Sequence, residues 1–574
     1  MFQSGLHQLR LSLSDYRSLL PYAILGIVAG FLAAAVVLAF EYTAGLVGRL
    51  WLGDFSAESF EQLSPALRFL VPVGGALVLG LVMQQLKPEL TRVGVVHVIG
   101  QLNNAHGRMP PGNALVQFFG GAIALATGQS GGREGPGVHL GAAINAYIGN
   151  YLELPNNSLR VLIACGTAAA IAAAFNTPIA GVIFAMEVIM AEYTVAGFIP
   201  VILAAVTATT LTRVLLGSGL LLSIPAIELT SLWELPFITV LGFVAGTAAA
   251  AFIVLMKYCM GFQQRPLWLR FTAAGLVTGT LAVFAPQIMG MGYDTLNLTL
   301  GGGIGLGLLL TIALAKLFAT SISCGLGMPI GLIGPNLIIG ACLGAAMGAL
   351  GATVMPELAS HPALYVLLGM CSTMAAILNA PLAALLAVVE LSHNVGIIYP
   401  AMLAIITATL TVRVFYKQPA AHQMVLKHLQ LRVRESPLNQ LLQSTSVTAI
   451  LDSSLQKLAL QLDADTALAL RDNPPNWCLL EIGTETGLIA GTTLADALQA
   501  APDINDGVEL ANLDLPALKL HVLPMQATLR EALDLLEQDD VDAIYVSGQY
   551  QSIGITISGV VTLAHIERFY RSRE

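Results

Sequence analysis

The feature that most restricts the fold of this chain is a glycine–proline pattern that occurs twice in an otherwise apolar sequence. The pattern reads G-x-x-G-P-x-x-x-x-G-A, and its copies begin at Gly132 and Gly331. Each copy predicts a Gly-rich turn followed by the start of an apolar helix. Within a bilayer, backbone groups left unpaired at such a break must face protein, water or a ligand.

A second pair of landmarks follows the first pair in the same order. Asn176 opens the stretch N-T-P-I-A and Asn379 opens N-A-P-L-A, and a glutamate follows each asparagine after 11 positions, Glu187 and Glu390. Each N-x-P lies about 40 residues after its own glycine–proline break. Two matched landmarks in one order indicate an internal duplication, which is a common way to build transporter folds.

Composition places most of the chain in a membrane. Of its 574 residues, 56% are hydrophobic and only 11% are charged, whereas soluble domains average about 25% charged residues. Apolar stretches fill most of the chain from Leu19 to Tyr416, and the first of them, Ala23 to Phe40, is long enough to span a hydrocarbon core. It lacks a small-residue cleavage site, so we interpret it as a retained helix of a multi-pass integral membrane protein.

Charged residues become frequent again near residue 430. With the segment before the first apolar stretch, this divides the chain into three parts. We predict an N-terminal cytoplasmic segment at 1–18, a membrane domain at 19–425 and a soluble, acidic domain at 430–574. Basic residues flank both ends of the membrane domain, which predicts that both termini are cytoplasmic and that the protein lies in the cell membrane. The net charge of −9 disfavours nucleic acid as a partner.

The cysteines of this sequence indicate neither disulfide bonds nor a metal site. The six cysteines are scattered, mostly within apolar runs, and no CxxC occurs. We therefore predict neither a disulfide framework nor a metal site, and we expect no required cofactor and no enzymatic activity.

Two half-helices that start near the middle of a bilayer would suit an anion. The first amides of a helix carry about half an elementary positive charge, and they bind anions without a lysine or arginine. A full cation would hold the anion too tightly for it to leave. The breaks therefore predict a site for a small anion.

Glu134 lies inside the first break, and Arg133 precedes it. A helix-start acid can simply complement the helix dipole; an ionisable group at this depth is otherwise functional by default. Our hypothesis is that the ionised Glu134 carboxylate occupies the anion site and that protonation releases it, so that acid opens the pathway. Arg133 either steers anions to the pathway or extends to a membrane surface without a role in flux.

Residues 15 to 425 resemble the CLC family of chloride channels and proton-coupled chloride exchangers. The motifs that carry this resemblance are G-R-E-G-P at 132–136, the N-x-P-x-A-G before Glu187 and G-L-I-G-P at 331–335. The resemblance implies a mostly α, polytopic membrane protein of two inverted repeats of tilted, broken helices, which forms a homodimer in membrane lipid with one anion pathway per subunit. It implies that Glu134 is the gating glutamate and that the amides of Leu332 and Ile333 hold the central chloride. The predicted anion-binding set is Gly132, Arg133, Gly135, Leu332, Ile333 and Gly334.

Three positions depart from the family pattern. Val93 stands where the family commonly has a serine that contacts the anion, so chloride selectivity over other small anions stays open. His422 lies where the inner tyrosine of the family is expected, and it is either a replacement gate or a plain surface residue. Val188 follows Glu187 where exchangers usually carry an inner proton-accepting glutamate.

The predicted function is therefore passive chloride permeation gated by Glu134 and uncoupled from protons. A proton-coupled antiporter of the same family is the alternative. Two remote alternatives are a transporter of another inverted-repeat family and an intramembrane serine protease, the latter suggested by G-x-S-G at Gly128 to Gly131.

The soluble tail contains two copies of a β-α-β-β-α pattern. The second copy predicts strands at Val541–Gly548 and Ser558–Thr562 and helices at Thr528–Gln538 and Leu563–Arg571. The pattern resembles a pair of cystathionine-β-synthase-type (CBS) domains, which often regulate this family. That resemblance implies either an adenine-nucleotide site, with Asp496 and Thr562 as the candidate ligands, or a dimerisation and gating scaffold without a ligand.

Overall fold

The computed structural model describes most of the chain, namely residues 19–53, 59–105, 107–191, 195–217, 224, 227, 229–354, 360–431, 441–442, 445–482, 485–500, 507–510, 513, 515–537, 541–549 and 556–571. The predicted N-terminal segment, 1–18, lies outside the described residues.

Eight helices form the first half of the membrane region. They are α1 (Leu19–Leu52), α2 (Pro65–Gln84), α3 (Val95–Asn104), α4 (Pro111–Ala126), α5 (Glu134–Tyr151), α6 (Asn156–Phe175), α7 (Pro178–Phe184, continued by a π-helical turn to Met190) and α8 (Val195–Leu216).

Eight helices of similar order form the second half, and one short helix follows them. They are α9 (Leu235–Met260), α10 (Leu267–Phe284), α11 (Tyr293–Leu300), α12 (Leu306–Gly325), α13 (Ile333–Val354), α14 (Pro362–Leu378), α15 (Pro381–Ser392), α16 (Ile398–Leu410, continued by a π-helical turn to Phe415) and α17 (Ala421–His428).

The two halves match element by element. A Cβ on Gly26 of α1 would meet the backbone of α8 at Pro200, and a Cβ on Gly242 of α9 would lie 2.8 Å from the backbone oxygen of Ala404 in α16. In each half, therefore, a glycine of the first helix packs directly against the backbone of the last helix. The predicted fold, two repeats of broken helices, is confirmed at this level of detail.

Nine helices in the described part of the chain are long and apolar enough to cross a membrane. Others in the same region, such as α3, α7 and α11, are shorter than the roughly 20 residues that a span needs. These short pieces begin or end within the apolar region, which is how the fold brings helix starts into the interior.

Contacts divide the chain into two compact units. One unit comprises Tyr22–Asn150 and Arg160–Arg434, and the other contains Glu435–Glu574 with short segments that include Tyr151–Leu159. The domain bounds 19–425 and 430–574 stay a prediction.

The described part of the soluble unit has two three-stranded sheets of the same topology and a two-stranded sheet. Its elements are β1 (Leu455–Leu458), β2 (Gln461–Leu462), α18 (Ala464–Asp472), β3 (Trp477–Ile482), β4 (Glu485–Ala490), α19 (Gly491–Ala500), β5 (Val508–Glu509), β6 (Leu520–Pro524), α20 (Leu529–Leu536), β7 (Ala543–Gln549), β8 (Thr556–Val561) and α21 (Leu563–Arg571). β1 and β6 run parallel to β3 and β7, and β4 and β8 run antiparallel to those same central strands. The three-stranded sheets have the orders β1-β3-β4 and β6-β7-β8, and β2 and β5 form the two-stranded sheet. The predicted α/β tail is thus present as a repeated β-α-β-β-α unit.

Candidate functional site

The two glycine–proline breaks pair directly with each other. The amide of Gly132 donates to the carbonyl of Gly331 (2.7 Å), and the amide of Gly331 donates back to the carbonyl of Gly132 (2.8 Å). α5 and α13 begin two residues after this bridge, at Glu134 and Ile333. The duplication therefore brings two helix starts to one place inside the membrane unit.

Glycine is required at this crossing because the two backbones touch. A Cβ on Gly331 would lie 2.7 Å from the carbonyl oxygen of Gly132 and 2.7 Å from the amide nitrogen of Gly135. Real Cβ atoms do not approach backbone atoms so closely, and backbone atoms cannot move aside as a side chain does. The repeated glycines are thus explained by close approach of the chain to itself.

Glu134 projects from the first break onto the start of the second broken helix. Its carboxylate is buried, with 1% of the residue exposed, and its Oε2 accepts a hydrogen bond from the amide of Gly334 (3.2 Å). The carboxylate therefore occupies the position at which the amides of α13 would bind an anion.

Tyr293 is a second partner of this carboxylate, and the sequence reasoning missed it. Its hydroxyl donates to Oε1 of Glu134, and it is the first residue of α11. Gly292 and Gly94 each precede a short helix with positive φ in equivalent positions of the two halves, but these angles come from the structure, and the sequence alone does not single out the tyrosine.

Arg133 takes neither of the two roles that its sequence position suggests. Its Nη1 forms an ion pair with Oε2 of Glu41 on α1 (3.0 Å), and its Nη2 donates to the carbonyl of Ala174 (2.8 Å). Its side chain is 16% exposed. The guanidinium is thus tied into the protein beside Glu134 and is neither free to steer anions nor extended to a surface.

A cavity of about 360 Å³ reaches the two helix starts, and its lining residues do not include Glu134. Its wall brings together residues that lie far apart in the sequence, among them Val93, Gly135, Leu332, Ile333 and His422. Since α13 begins at Ile333, the amides of Leu332 and Ile333 have no acceptor within their own helix. These two residues therefore face the cavity at a position suited to an anion.

The cavity wall carries positive and neutral groups. Arg92 and Arg270 line it, and none of the described residues that line it is an aspartate or a glutamate. A cleft lined by one sign of charge raises the local concentration of the opposite ion. Sequence reasoning missed both arginines, because Arg92 lies in the loop before α3 and Arg270 lies in α10, and only the fold brings them together.

The predicted anion-binding residues separate into three groups. Gly135, Leu332 and Ile333 line the cavity, and the Gly334 amide is bound by Glu134. The amide of Gly132 already donates a hydrogen bond to the carbonyl of Gly331, so it is unavailable to an anion in this conformation. Gly132 and Arg133 thus have protein partners in this conformation, and their part in anion binding stays a prediction.

Val93 and His422 stand on the walls of this space. Val93 precedes Gly94, the residue before α3, so a third helix start points to the cavity but offers no side-chain hydroxyl. His422 is 4% exposed, which excludes a plain surface residue. It also lines a second cavity of about 140 Å³ that contains Glu187 and Val188.

Glu187 and Glu390 cap each other's half of the molecule. Oε2 of Glu187 accepts from the amide of Ala383 at the start of α15 (2.9 Å), and Oε2 of Glu390 accepts from the amide of Ala180 at the start of α7 (2.7 Å). The equal spacing from asparagine to glutamate therefore has a structural cause: each N-x-P helix start receives the carboxylate of the other repeat.

Other candidates from the sequence are placed as follows. Ser130 is fully buried and its hydroxyl pairs with that of Thr320 (2.9 Å), so its partner is not a histidine base. Asp496 is exposed on α19, and the amide of Thr562 donates to Nδ1 of His565 (3.4 Å). The described residues contain no cluster of histidine, cysteine and acidic side chains suited to a metal ion.

Comparisons with known proteins agree with this architecture. Residues 74–413 match the family model described as voltage gated chloride channel. A ClcB-like chloride channel protein of Ralstonia nicotianae is 32% identical over 60% of this chain and 82% of its own length. The H(+)/Cl(-) exchange transporter ClcA of Vibrio cholerae is 29% identical over 73% of this chain and 92% of its own length.

Solved structures share the fold at lower identity. A slow cyanobacterial Cl-/H+ antiporter has a TM-score of 0.64 and 21% identity, and it covers 71% of this chain and 97% of its own. A eukaryotic CLC transporter has a TM-score of 0.60 and 16% identity, and it covers 94% of this chain and 97% of its own. The second of these likenesses extends over the soluble region.

Proposed function

Since this chain belongs to the voltage gated chloride channel family of membrane proteins that transport anions, we propose that it carries chloride passively through the site between the starts of α5 and α13, with Glu134 as the gate. The observation that carries the proposal is the contact between the Glu134 carboxylate and the amide of Gly334. A chloride ion and a carboxylate bear the same charge and need the same donors, so the two compete for one position.

The route of the anion follows from the surrounding charges. An anion enters the cavity beside Arg92 and Arg270 and meets the amides of Leu332 and Ile333. Beyond them, the closed pathway ends at the buried carboxylate of Glu134. We assign the cavity to the cytoplasmic side, because its wall includes His422, Val425, Leu429 and Leu431, which lie in the sequence between the last membrane helix and the soluble domain.

Uncoupled transport is favoured by the side chains around the second cavity. Val188 carries no proton, and the carboxylate of its neighbour Glu187 is occupied by two amides of α15. A proton relay would need to break this cap at each cycle. We therefore place Glu187 in a structural role.

Proton-coupled chloride exchange is the second candidate. The relative from Vibrio cholerae is named as an exchanger, and Glu187 does line the cavity that it shares with His422. Exchange would require the carboxylate of Glu187 to break its hydrogen bonds with the amides of α15 and to take up a proton.

The test is anion flux from liposomes that contain the purified full-length protein, with chloride efflux and proton movement recorded together. We expect acid to increase chloride flux in the wild type, and we expect Glu134→Gln to give high flux that no longer depends on pH. Stoichiometric proton uptake driven by a chloride gradient would replace the passive mechanism by exchange. A Glu134→Gln variant with the wild-type pH dependence would overturn the gate.

For the regulatory tail, we propose a CBS pair that responds to an adenine nucleotide. The repeated β-α-β-β-α units support this, and Asp496 and Thr562 are the candidate ligands. The same flux assay with and without ATP inside the liposomes tests it, and equal flux in both conditions would favour a scaffold without a ligand.

A further inference from the structure

Tyr293 is buried with its hydroxyl against the carboxylate of Glu134. The residue is 4% exposed, and its hydroxyl donates to Oε1 of Glu134. Its ring packs edge-on against Phe175 (6.2 Å between ring centres), and the guanidinium of Arg133 lies 5.4 Å from the ring centre. A ring fixed on two sides presents its hydroxyl in one direction.

The two oxygens of the Glu134 carboxylate therefore have different donors. Oε2 is bound by the Gly334 amide, which belongs to the anion site, whereas Oε1 is bound by the tyrosine. Chloride can compete for the first donor directly. The second donor acts on the carboxylate alone.

Other charged groups lie on the elements packed around this site. Glu41 on α1 pairs with Arg133. Lys316 on α12 donates from Nζ to the carbonyls of Ile288 and Gly290, in the loop that leads to Tyr293. Asp294 follows Tyr293 and is hydrogen-bonded to Glu61, whose pKa is raised to about 7 by burial and then by the charge of Asp294.

We propose that Tyr293 is a positioning residue that holds the ionised Glu134 in the anion site, so that its hydroxyl sets the acidity at which the pathway opens. This inference rests on the proposed role of Glu134 as the gate. A donated hydrogen bond stabilises the ionised carboxylate over the protonated one. The closed state thus persists to lower pH than the amide of Gly334 alone would allow.

Removal of the hydroxyl should therefore make the gate easier to protonate. In Tyr293→Phe, the ring and its packing remain and only the donor is lost. A hydrogen bond to a charged group is strong enough that its loss should move the midpoint of acid activation toward neutral by about one pH unit. Chloride should also compete better with the loosened carboxylate and show a lower apparent half-saturating concentration.

The chain offers a matched control in Tyr365. This tyrosine is fully buried, its hydroxyl donates to the buried carboxylate of Glu234, and its ring packs edge-on against Phe237 (5.7 Å). Tyr365→Phe removes the same kind of hydrogen bond away from the two breaks. It should keep the wild-type pH midpoint, so it separates a general loss of stability from an effect on the gate.

The experiment measures chloride flux against pH in liposomes for the wild type, Tyr293→Phe, Tyr365→Phe, Glu134→Ala and the double variant Tyr293→Phe/Glu134→Ala. The inference requires a shifted midpoint in Tyr293→Phe alone and identical profiles for Glu134→Ala and the double variant. A Glu61→Gln variant is run beside them, because Glu61 titrates in the same range. Site-specific 3-fluorotyrosine at position 293 keeps the ring and makes the hydroxyl a stronger hydrogen-bond donor. The pH midpoint of acid activation should then shift toward acid. This measurement still tests the inference if Tyr293→Phe fails to fold.

The outcomes separate the inference from the function on which it rests. If Glu134→Ala loses pH dependence while Tyr293→Phe and the fluorotyrosine protein keep the wild-type midpoint, Tyr293 has no positioning role and Glu134 is still the gate. If the double variant differs from Glu134→Ala, Tyr293 acts by another route and the inference is wrong. If Glu134→Ala keeps the wild-type pH dependence, the gate itself is wrong and the inference falls with it.

Discussion

At the residue scale, the site depends on how a buried carboxylate is compensated. An isolated charge in a low-dielectric interior costs tens of kcal/mol, and Glu134 is almost fully buried. Its compensation is the Gly334 amide, the Tyr293 hydroxyl and the neighbouring Arg133, whose own charge is shared with Glu41. An anion that displaces the carboxylate would take over the Gly334 amide as its donor, which makes competition physically reasonable.

A pH effect on stability is expected at Glu61. This residue lies between the spans α1 and α2, and its carboxyl has a pKa raised to about 7. A raised carboxyl pKa means that the folded state is stabilised below the unfolded value near 4.5 and that this contribution is lost as pH rises to about 7. Glu61→Gln should therefore have a higher Tm than the wild type at pH 8 and a similar Tm at pH 4.5. Thermal unfolding in detergent measures both, and a difference that grows toward acid would contradict the assignment.

At the element scale, the fold is stabilised by helix starts that the opposite repeat completes. α7 and α15 begin at N-x-P turns, where Asn176 and Asn379 both adopt left-handed backbone conformations (φ 59° and 58°). Each start then receives a glutamate from the other repeat. Such reciprocal caps tie the halves together through hydrogen bonds between carboxylates and backbone amides.

These caps give a paired prediction. Glu187→Ala and Glu390→Ala each leave the amides at a helix start without an acceptor, and each should lower stability by about 1–3 kcal/mol. Thermal unfolding in detergent measures the loss, and Glu89→Ala, at an exposed position, is the control that removes a carboxylate without a cap. A Glu187→Ala variant that unfolds like the wild type would refute the structural role and return Glu187 to the candidates for proton transfer.

At the scale of the whole molecule, one chain contains all the described residues of the proposed pathway. Glu134, Tyr293, Gly334 and the cavity wall all belong to the same membrane unit. The family resemblance predicts a homodimer, so each of its two pathways should work by itself.

The dimer prediction has a direct test. Light scattering of the protein in detergent, with the detergent mass subtracted, should give twice the chain mass of 60.2 kDa. Mixed dimers of wild-type and Glu134→Gln chains should show the sum of both flux behaviours, because the gates are separate. A mass of one chain would contradict the dimer.

Much of the architecture follows from local pattern. The apolar stretches, the returning charge near residue 430 and the helix at 563–571 are set by composition and periodicity over short windows. The repeat was also visible, because two motifs recur with equal spacing. Tyr293, Arg92 and Arg270 were not visible, because a single tyrosine or arginine carries no signal until the fold shows what it faces.

The sequence by itself determined that the chain crosses a membrane, that it contains two related halves, and that two glycine–proline breaks interrupt them. Only the tertiary structure decided that the two breaks form backbone hydrogen bonds with each other and that Arg133 forms an ion pair with Glu41. It also decided that Glu134 lies between an amide of the second half and Tyr293. The physical reason is range: hydrophobic period and turn chemistry act over a few neighbouring residues, whereas these contacts join positions about 90 to 200 residues apart.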